Sequence, residues 1–138
     1  MHTLIKFTKN TGKDNRGIEN EFKTLEEVQK YFCNLHNDND GYFFYKRERN
    51  GESIKRLNIQ KEDKLYFIFD KKIVAIAVYT GIPNPQERKN KFLYGYKIEK
   101  IKLICSPMIL KNDPLKNQNS TYYIKDEDEA LKKELENI

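Results

Sequence analysis

The chain has 138 residues, a length typical of one domain, and it carries a formal net charge of +5. It contains no run of 18 apolar residues and no signal-peptide pattern at its N-terminus, so we expect no membrane association and a cytoplasmic protein. The two histidines and two cysteines form no metal-binding motif, so we expect no metal or other cofactor, and we expect Cys33 and Cys105 to be buried free thiols.

The N-terminal third of the chain predicts a strand, a loop and a helix. A β-branched, apolar run predicts a strand over residues 3–8, and the polar segment 10–23 predicts a loop. Thr24 and Glu27 have the spacing of a capping box, in which each side chain bonds an amide at the start of a helix. Apolar residues then recur at helical spacing up to Leu35, and a run of Asn and Asp residues ends the helix.

The pattern then changes to that of β-strands. The aromatic segment 42–47 predicts one strand, and Asn50-Gly51 is the dipeptide that most favours a two-residue hairpin turn. We therefore expect residues 52–57 to return as a second, more polar strand.

Residues 64–80 predict a buried hairpin at the centre of the sheet. Residues 65–69 and 73–79 are apolar at successive positions, not only at alternate ones, which is typical of strands buried on both faces. Residues 70–72 supply the turn between them. Ala75 and Ala77 lie on one face, where small side chains would let a helix or another strand approach closely.

The C-terminal part of the chain predicts further strands and a last helix. Residues 81–90 predict a loop, residues 92–96 and 98–104 predict strands, and residues 120–124 predict a short closing strand. Residues 126–136 predict a helix with acidic residues at its start. The order predicts a single α+β domain: a small, curled, mostly antiparallel β-barrel with an N-terminal and a C-terminal helix.

The central hairpin resembles that of the PUA-like superfamily, which includes the PUA, ASCH, EVE and YTH domains. The segment from Glu62 to Phe69 has the family's Asp, followed after one intervening residue by a hydrophobic residue and a Phe or Tyr, and residues 73–78 match its strand of hydrophobic and small residues. The resemblance implies a PUA-like barrel that binds DNA or RNA along a groove, in some members with one unstacked base in an aromatic pocket. Because the chain has no Trp, Tyr or Phe would have to form that pocket.

The charge distribution agrees with a nucleic-acid partner. Residues 61–124 carry 12 Lys or Arg against 6 Asp or Glu, whereas residues 125–138 carry 3 against 6. The candidate base-stacking residues are Tyr42, Phe44, Tyr45, Tyr79, Tyr94 and Tyr96. The candidate phosphate-binding residues are Arg47, Arg49, Arg56, Arg88, Lys89 and Lys91. For each of these residues, core packing or an ordinary solvated surface is the alternative interpretation.

Two other functions stay open at this point. A protein-binding or defence-related module without a nucleic-acid ligand would expose an apolar patch, and its acidic C-terminal helix would dock on a partner instead of packing on the barrel through Leu131 and Leu135. An ASCH-type nucleoside or RNA hydrolase would need a lysine and a carboxylate in contact within a pocket. The sequence groups no such pair, so we expect a non-catalytic module.

Overall fold

One curled sheet with helices against both of its faces organises the computed structural model, which describes residues 2–7, 11–12, 22–49, 52–84, 93–116 and 121–138. In chain order the elements are β1 (His2–Lys6), β2 (Thr11–Gly12), α1 (Leu25–Cys33), α2 (Leu35–Asn39), β3 (Tyr42–Lys46), β4 (Glu48–Arg49), β5 (Glu52–Ser53), β6 (Lys64–Phe69), β7 (Lys72–Pro83), β8 (Leu93–Leu103), β9 (Thr121–Tyr123) and α3 (Glu129–Glu136). Across the described ranges, no helix is both long enough and apolar enough to cross a membrane.

The main sheet has the strand order β2-β3-β8-β7-β6-β1-β9. Its pairings are antiparallel except for β1 with β6, which run parallel, so the sheet is mixed. The predicted α+β class and the mostly antiparallel sheet are confirmed. The sheet curls into a half-barrel, whose closure is described below.

The hairpin of β6 and β7 lies at the centre of this sheet and is buried on both faces, as predicted. Leu65 and Phe67 belong to an inner core, which faces α1, whereas Tyr66 and Ile68 belong to an outer core, which faces α3. The turn consists of Asp70 and residue 71, both with positive φ (50° and 65°), the conformation that matches the right-handed twist of paired strands.

Helix α1 packs against the small residues of β7. Val28 and Phe32 of α1 lie in the inner core with Ala75 and Ala77, and the Phe32 ring lies 4.8 Å from that of Phe67. The prediction that Ala75 and Ala77 let a helix approach closely is therefore confirmed, because larger side chains there would push the helix away from the sheet.

The predicted cap at the start of α1 is present with one difference. The Glu27 amide donates to the Thr24 hydroxyl over 3.1 Å, and the Glu27 carboxylate accepts a hydrogen bond from the Lys23 amide at 3.2 Å. The Glu27 carboxylate therefore bonds the amide of Lys23, the residue before the N-cap, instead of the amide of Thr24 itself.

Tyrosine hydroxyls close the open side of the half-barrel. The Tyr45 hydroxyl on β3 lies 3.1 Å from the Thr121 hydroxyl on β9, although these strands are five positions apart in the sheet. At about 4.8 Å per strand, a flat sheet would separate them by about 24 Å, so the sheet is strongly curled. The segment 54–60 crosses the remaining gap: the Leu57 amide donates to Tyr96 and the Asn58 amide to Tyr123, each over 2.8 Å.

Several predicted boundaries and one burial prediction were wrong. Strand β5 ends at Ser53 and pairs only with β4, in a separate two-stranded sheet, because residues 54–60 are needed to cross the half-barrel. Residues 50–51, the predicted turn, lie outside the described residues. Residues 92–96 and 98–104 were predicted as separate strands, but their described part is one strand, β8.

Helix α3 begins at Glu129 rather than at Asp126, because the Asp128 carboxylate bonds the Lys125 amide and the Tyr122 hydroxyl, each over 2.8 Å, and holds a turn there. Its Leu131 and Leu135 are buried in the outer core, so this helix packs on its own sheet. Cys33 and Cys105 are free thiols as predicted, but both are exposed. Cys33 follows the buried Phe32, and a step of one residue turns a side chain to another face of the helix.

Replacing Tyr96 by Phe tests the closure. The variant keeps the buried ring but leaves the buried Leu57 amide without its acceptor, so we expect the free energy of unfolding to fall by about 1–3 kcal/mol. Tyr123→Phe is the matched control, because the Asn58 amide is exposed and water replaces the hydroxyl. Urea unfolding of both variants measures the difference, and equal losses would contradict the proposed importance of the buried bond.

Acid is expected to weaken the docking of α3. Hydrogen bonds from the Lys125 amide and the Tyr122 hydroxyl lower the pKa of Asp128. Partial burial acts to raise the pKa of Glu134, but hydrogen bonds from Lys111 and Asn112 outweigh it and lower that pKa. A carboxyl group with a lowered pKa in the folded state stabilises the protein above its unfolded pKa, and this contribution is lost as the pH falls through the folded pKa.

We therefore expect the urea midpoint to decrease as the pH falls below about 5, and to decrease less in the double variant Asp128→Asn/Glu134→Gln. Glu26→Gln, which neutralises an exposed carboxylate on α1, serves as the control. An unchanged acid dependence in the double variant would show that these two carboxyl groups do not govern it.

Candidate nucleic-acid interface

Two arginines and a tyrosine meet at one end of the half-barrel. The guanidinium carbon of Arg47 lies 5.2 Å from the centroid of the Tyr94 ring, and that of Arg56 lies 4.8 Å from it. Arg56 also lies 5.8 Å from the centroid of the Tyr96 ring. We call Arg47, Arg56 and Tyr94 the arginine–tyrosine cluster. Its contacts are of the cation–π type, in which a cation is attracted to the face of an aromatic ring.

The curl of the sheet positions this cluster. Tyr94 lies opposite Tyr45 in the register of β3 and β8, on the side of the sheet that faces the inner core. Arg47 directly follows β3, and its carbonyl accepts a hydrogen bond from the Ile54 amide at 2.6 Å. Arg56 precedes Leu57, whose amide is bound by the Tyr96 hydroxyl. The bonds that close the half-barrel thus also hold both arginines beside one ring.

The cluster combines the chemistry needed to bind a nucleic-acid strand. Arg56 is exposed, and Arg47 and Tyr94 are half-buried, so all three side chains reach solvent. Guanidinium groups bind phosphate oxygens through two parallel hydrogen bonds, and an aromatic ring stacks on a base. The arrangement therefore places phosphate-binding guanidinium groups in contact with a base-stacking ring.

The loop that was predicted to be basic begins beside the cluster. Gly95 follows Tyr94, and its carbonyl accepts a hydrogen bond from the Asn84 amide at 3.0 Å. A Cβ atom on Gly95 would lie 2.4 Å from the Cβ of Asn84 and 3.1 Å from the Phe44 ring, so only glycine permits this approach. Residues 85–92, with Arg88, Lys89 and Lys91, lie outside the described residues, but the chain enters that segment at Asn84 and leaves it at Leu93.

Four of the predicted stacking residues pack in the protein interior. Their exposed fractions are 1–6%, and they are Phe44, Tyr45, Tyr79 and Tyr96. The Tyr79 and Tyr96 rings meet edge-to-face at 5.7 Å, and the other two rings are buried on opposite sides of β3. In this conformation, none of the four rings offers a face to a base.

Tyr42 lies at the opposite end of β3 from Arg47. It is half-buried, and the Lys97 ammonium group lies 5.7 Å from its ring centroid. The structure therefore does not bring Tyr42 together with the arginine–tyrosine cluster. The side chain of Arg49 lies outside the described residues.

The structure also contains two surface features that the sequence did not indicate. A cleft on the outer face of the sheet is lined by several lysines. A second groove, of about 400 Å³, contains Met108 and Ile109, which are 83% and 61% exposed. An exposed apolar groove of this kind is what the protein-binding alternative would use.

The contact between a lysine and a carboxylate that a hydrolase would need occurs once among the described residues. The Lys132 ammonium group lies 3.5 Å from the Asp126 carboxylate, and the Asp126 side chain is fully exposed. Such exposed pairs are usual on protein surfaces and contribute little. Within the same part of the chain, no group of three or more His, Cys, Asp or Glu side chains is arranged to hold a metal ion.

No protein-family model and no curated protein matches this sequence. The interpretation of the site therefore depends on its geometry and on the chemistry of its side chains.

Gly95→Ala tests whether the close approach at Asn84 supports the site. The added methyl group must displace Asn84, so we expect the free energy of unfolding to fall by about 1–3 kcal/mol. The variant Asn84→Gly lacks the clashing Cβ atom. Adding Gly95→Ala to that variant should therefore lower the free energy of unfolding by less than Gly95→Ala does when Asn84 is present. Urea unfolding of the four proteins gives the coupling, and additive effects would contradict the contact.

Proposed function

We propose that this protein is a non-catalytic, PUA-like nucleic-acid-binding module that binds a single strand at the arginine–tyrosine cluster. The observation that carries the proposal is the placement of two guanidinium groups, from Arg47 and Arg56, over the same half-buried ring, that of Tyr94. On binding, the arginines contact successive phosphates, and a base takes the place of a guanidinium group on the ring of Tyr94.

The fold and the charge distribution support the same proposal. A curled mixed sheet built around a doubly buried hairpin is consistent with the PUA-like superfamily that the segment 62–78 resembles. The basic residues 88, 89 and 91 lie in the sequence between Asn84, whose amide donates to the carbonyl of Gly95, and Leu93, which precedes Tyr94, so this part of the chain adds positive charge that favours a polyanion. Since the cluster contains a single aromatic ring, the proposal favours one unstacked base over a continuous stack.

Binding is tested by fluorescence anisotropy with labelled single-stranded RNA, single-stranded DNA and duplex, all without a 5′-phosphate. We expect single strands to bind more tightly than duplex, with an affinity that falls steeply as salt is added. Removing both cations in Arg47→Ala/Arg56→Ala should weaken binding and reduce the slope of log affinity against log salt by about 1.4, at about 0.7 for each lost phosphate contact. If no strand binds at low salt, the proposed function is wrong.

A charge-matched control separates this site from general attraction. Lys23→Ala/Lys30→Ala removes two exposed cations near α1 and should change affinity much less than the arginine pair. Tyr94→Leu retains both arginines and removes the ring, and we expect it to cost about 1–3 kcal/mol of binding free energy. Equal effects of the lysine and arginine pairs would indicate attraction by net charge and would contradict a site at Tyr94.

A further inference from the structure

A cleft of about 810 Å³ lies on the outer face of the sheet, between α3 and the strands β6, β7 and β8. We call it the outer cleft. Helix α3 covers only part of this face through Leu131 and Leu135, so the region in front of β7 and β8 stays open. The volume is within the range of sites for small molecules.

The register of the strands determines which side chains face the outer cleft. Tyr66, Ile76 and Lys102 lie side by side on β6, β7 and β8, and Lys64 lies in the neighbouring row, opposite Val78. At about 4.8 Å per strand and about 3.4 Å per residue, the Cα atoms of Lys64 and Lys102 are about 12 Å apart. Two long lysine side chains therefore reach one ligand between them once the Lys102 ammonium group leaves the Ile138 carbonyl, to which it donates over 3.3 Å.

A β-bulge directs two of the lysines into the outer cleft. From Ile76 to Val78, β7 advances two residues, while the paired segment of β8, from Lys102 to Glu99, advances three. The extra residue is Lys100, whose φ is 52°. Strict alternation from the buried Ile98 would place residues 100 and 102 in the inner core, and the bulge instead directs both lysines outward.

The outer cleft has an excess of positive charge. Its charged residues are four lysines and two carboxylates, namely Lys64, Lys100, Lys102, Lys132, Asp126 and Glu136. Four positive charges minus two negative ones leave a surplus of two. Asp126 pairs with Lys132, whereas Lys64 and Lys100 form no ion pair with any described residue. A phosphate monoester carries about −1.5 to −2 charges at neutral pH, which matches this surplus.

The floor of the outer cleft is apolar and contains one unused hydrogen-bond donor. Tyr66 is 5% exposed, and its hydroxyl forms no hydrogen bond with any described residue. Burial and the nearby Glu136 carboxylate raise the pKa of Tyr66, so the hydroxyl stays protonated and able to donate. Ile76 and Val78 line the floor beside it, and a flat ring system fits against such a surface.

We propose that the outer cleft binds a nucleoside monophosphate. Lys64, Lys100 and Lys102 hold the phosphate, the nucleoside lies against the apolar floor and Tyr66, and the Glu136 carboxylate accepts hydrogen bonds from its hydroxyl or amino groups. The same phosphomonoester occurs on a free mononucleotide and at the 5′ end of a nucleic-acid strand. The proposal does not depend on strand binding at the arginine–tyrosine cluster, which lies on the inner side of the sheet.

Calorimetric titration of the full chain with adenosine 5′-monophosphate tests the proposal. We expect adenosine to bind at least about tenfold more weakly, because it lacks the phosphate that the lysines bind. Lys64→Ala/Lys102→Ala should weaken binding by about tenfold or more, and Tyr66→Phe by about three- to tenfold. Lys23→Ala/Lys30→Ala, which removes equal charge away from the outer cleft, should leave the affinity unchanged.

The two sources of the ligand are distinguished by a tetranucleotide with and without a 5′-phosphate. If the phosphorylated strand binds more tightly than the mononucleotide and loses this advantage in Lys64→Ala/Lys102→Ala, the outer cleft binds strand ends. The reverse order of affinities assigns it to free nucleotides. Both results support the outer cleft as a phosphomonoester site.

Three results would overturn the proposal. These are no binding of adenosine 5′-monophosphate at millimolar concentration, equal binding of adenosine, and an unchanged affinity in Lys64→Ala/Lys102→Ala. Thermal melting checks that each variant is folded, and Lys102→Glu, which reverses one exposed charge, provides a second variant if the double one unfolds. Failure here leaves strand binding at Tyr94 intact, since that binding is measured with unphosphorylated strands and different variants.

Discussion

The hydroxyl of Tyr96 accepts a hydrogen bond from the buried amide of Leu57, and much of the structure depends on this bond. The residue lies on β8 near the middle of the sheet, and its ring packs between those of Phe43 and Tyr79 in the inner core. An amide that is buried without an acceptor is costly, so the segment 54–60 is held in one position across the open side of the half-barrel. Tyr45 and Tyr123 add hydroxyl contacts to β9 and to Asn58 nearby. The curl of the sheet and the path of this segment therefore stabilise each other.

The central hairpin limits which of its side chains can reach a ligand. Side chains of β6 and β7 alternate between the inner and the outer core, so most of them pack in the interior, and those that border the outer cleft, such as Lys64 and Tyr66, also line a candidate site. Several of the other charged groups lie where regular strand structure stops or is interrupted. Arg47 follows the end of β3, Arg56 lies in the crossing segment, and Lys100 occupies a bulge. Both proposed sites therefore use residues that packing leaves available, and a rigid sheet holds them in position.

The acidic C-terminal helix has a more specific role than its composition suggests. Leu131 and Leu135 attach it to the outer core, and the Glu134 carboxylate bonds the amides of Lys111 and Asn112. Its Glu136 then faces the lysines of β6 and β8 across the outer cleft. Opposite charges on the two walls leave a surplus of two positive side-chain charges, which the proposed phosphomonoester would neutralise. The same helix therefore completes the outer core and forms one wall of the outer cleft.

The sequence by itself determined the local features. The capped helix at Thr24, the doubly buried hairpin at 64–80 and the small residues Ala75 and Ala77 follow from side-chain spacing, which acts over a few residues. It also supplied Arg47, Arg56 and Tyr94 as candidates. Only the tertiary structure decided that these three meet and that the other candidate tyrosines Tyr45, Tyr79 and Tyr96 are buried, because such contacts depend on how far the sheet curls. The outer cleft was not predicted at all, since a bulge changes which face a side chain occupies without leaving a sequence pattern at Lys100.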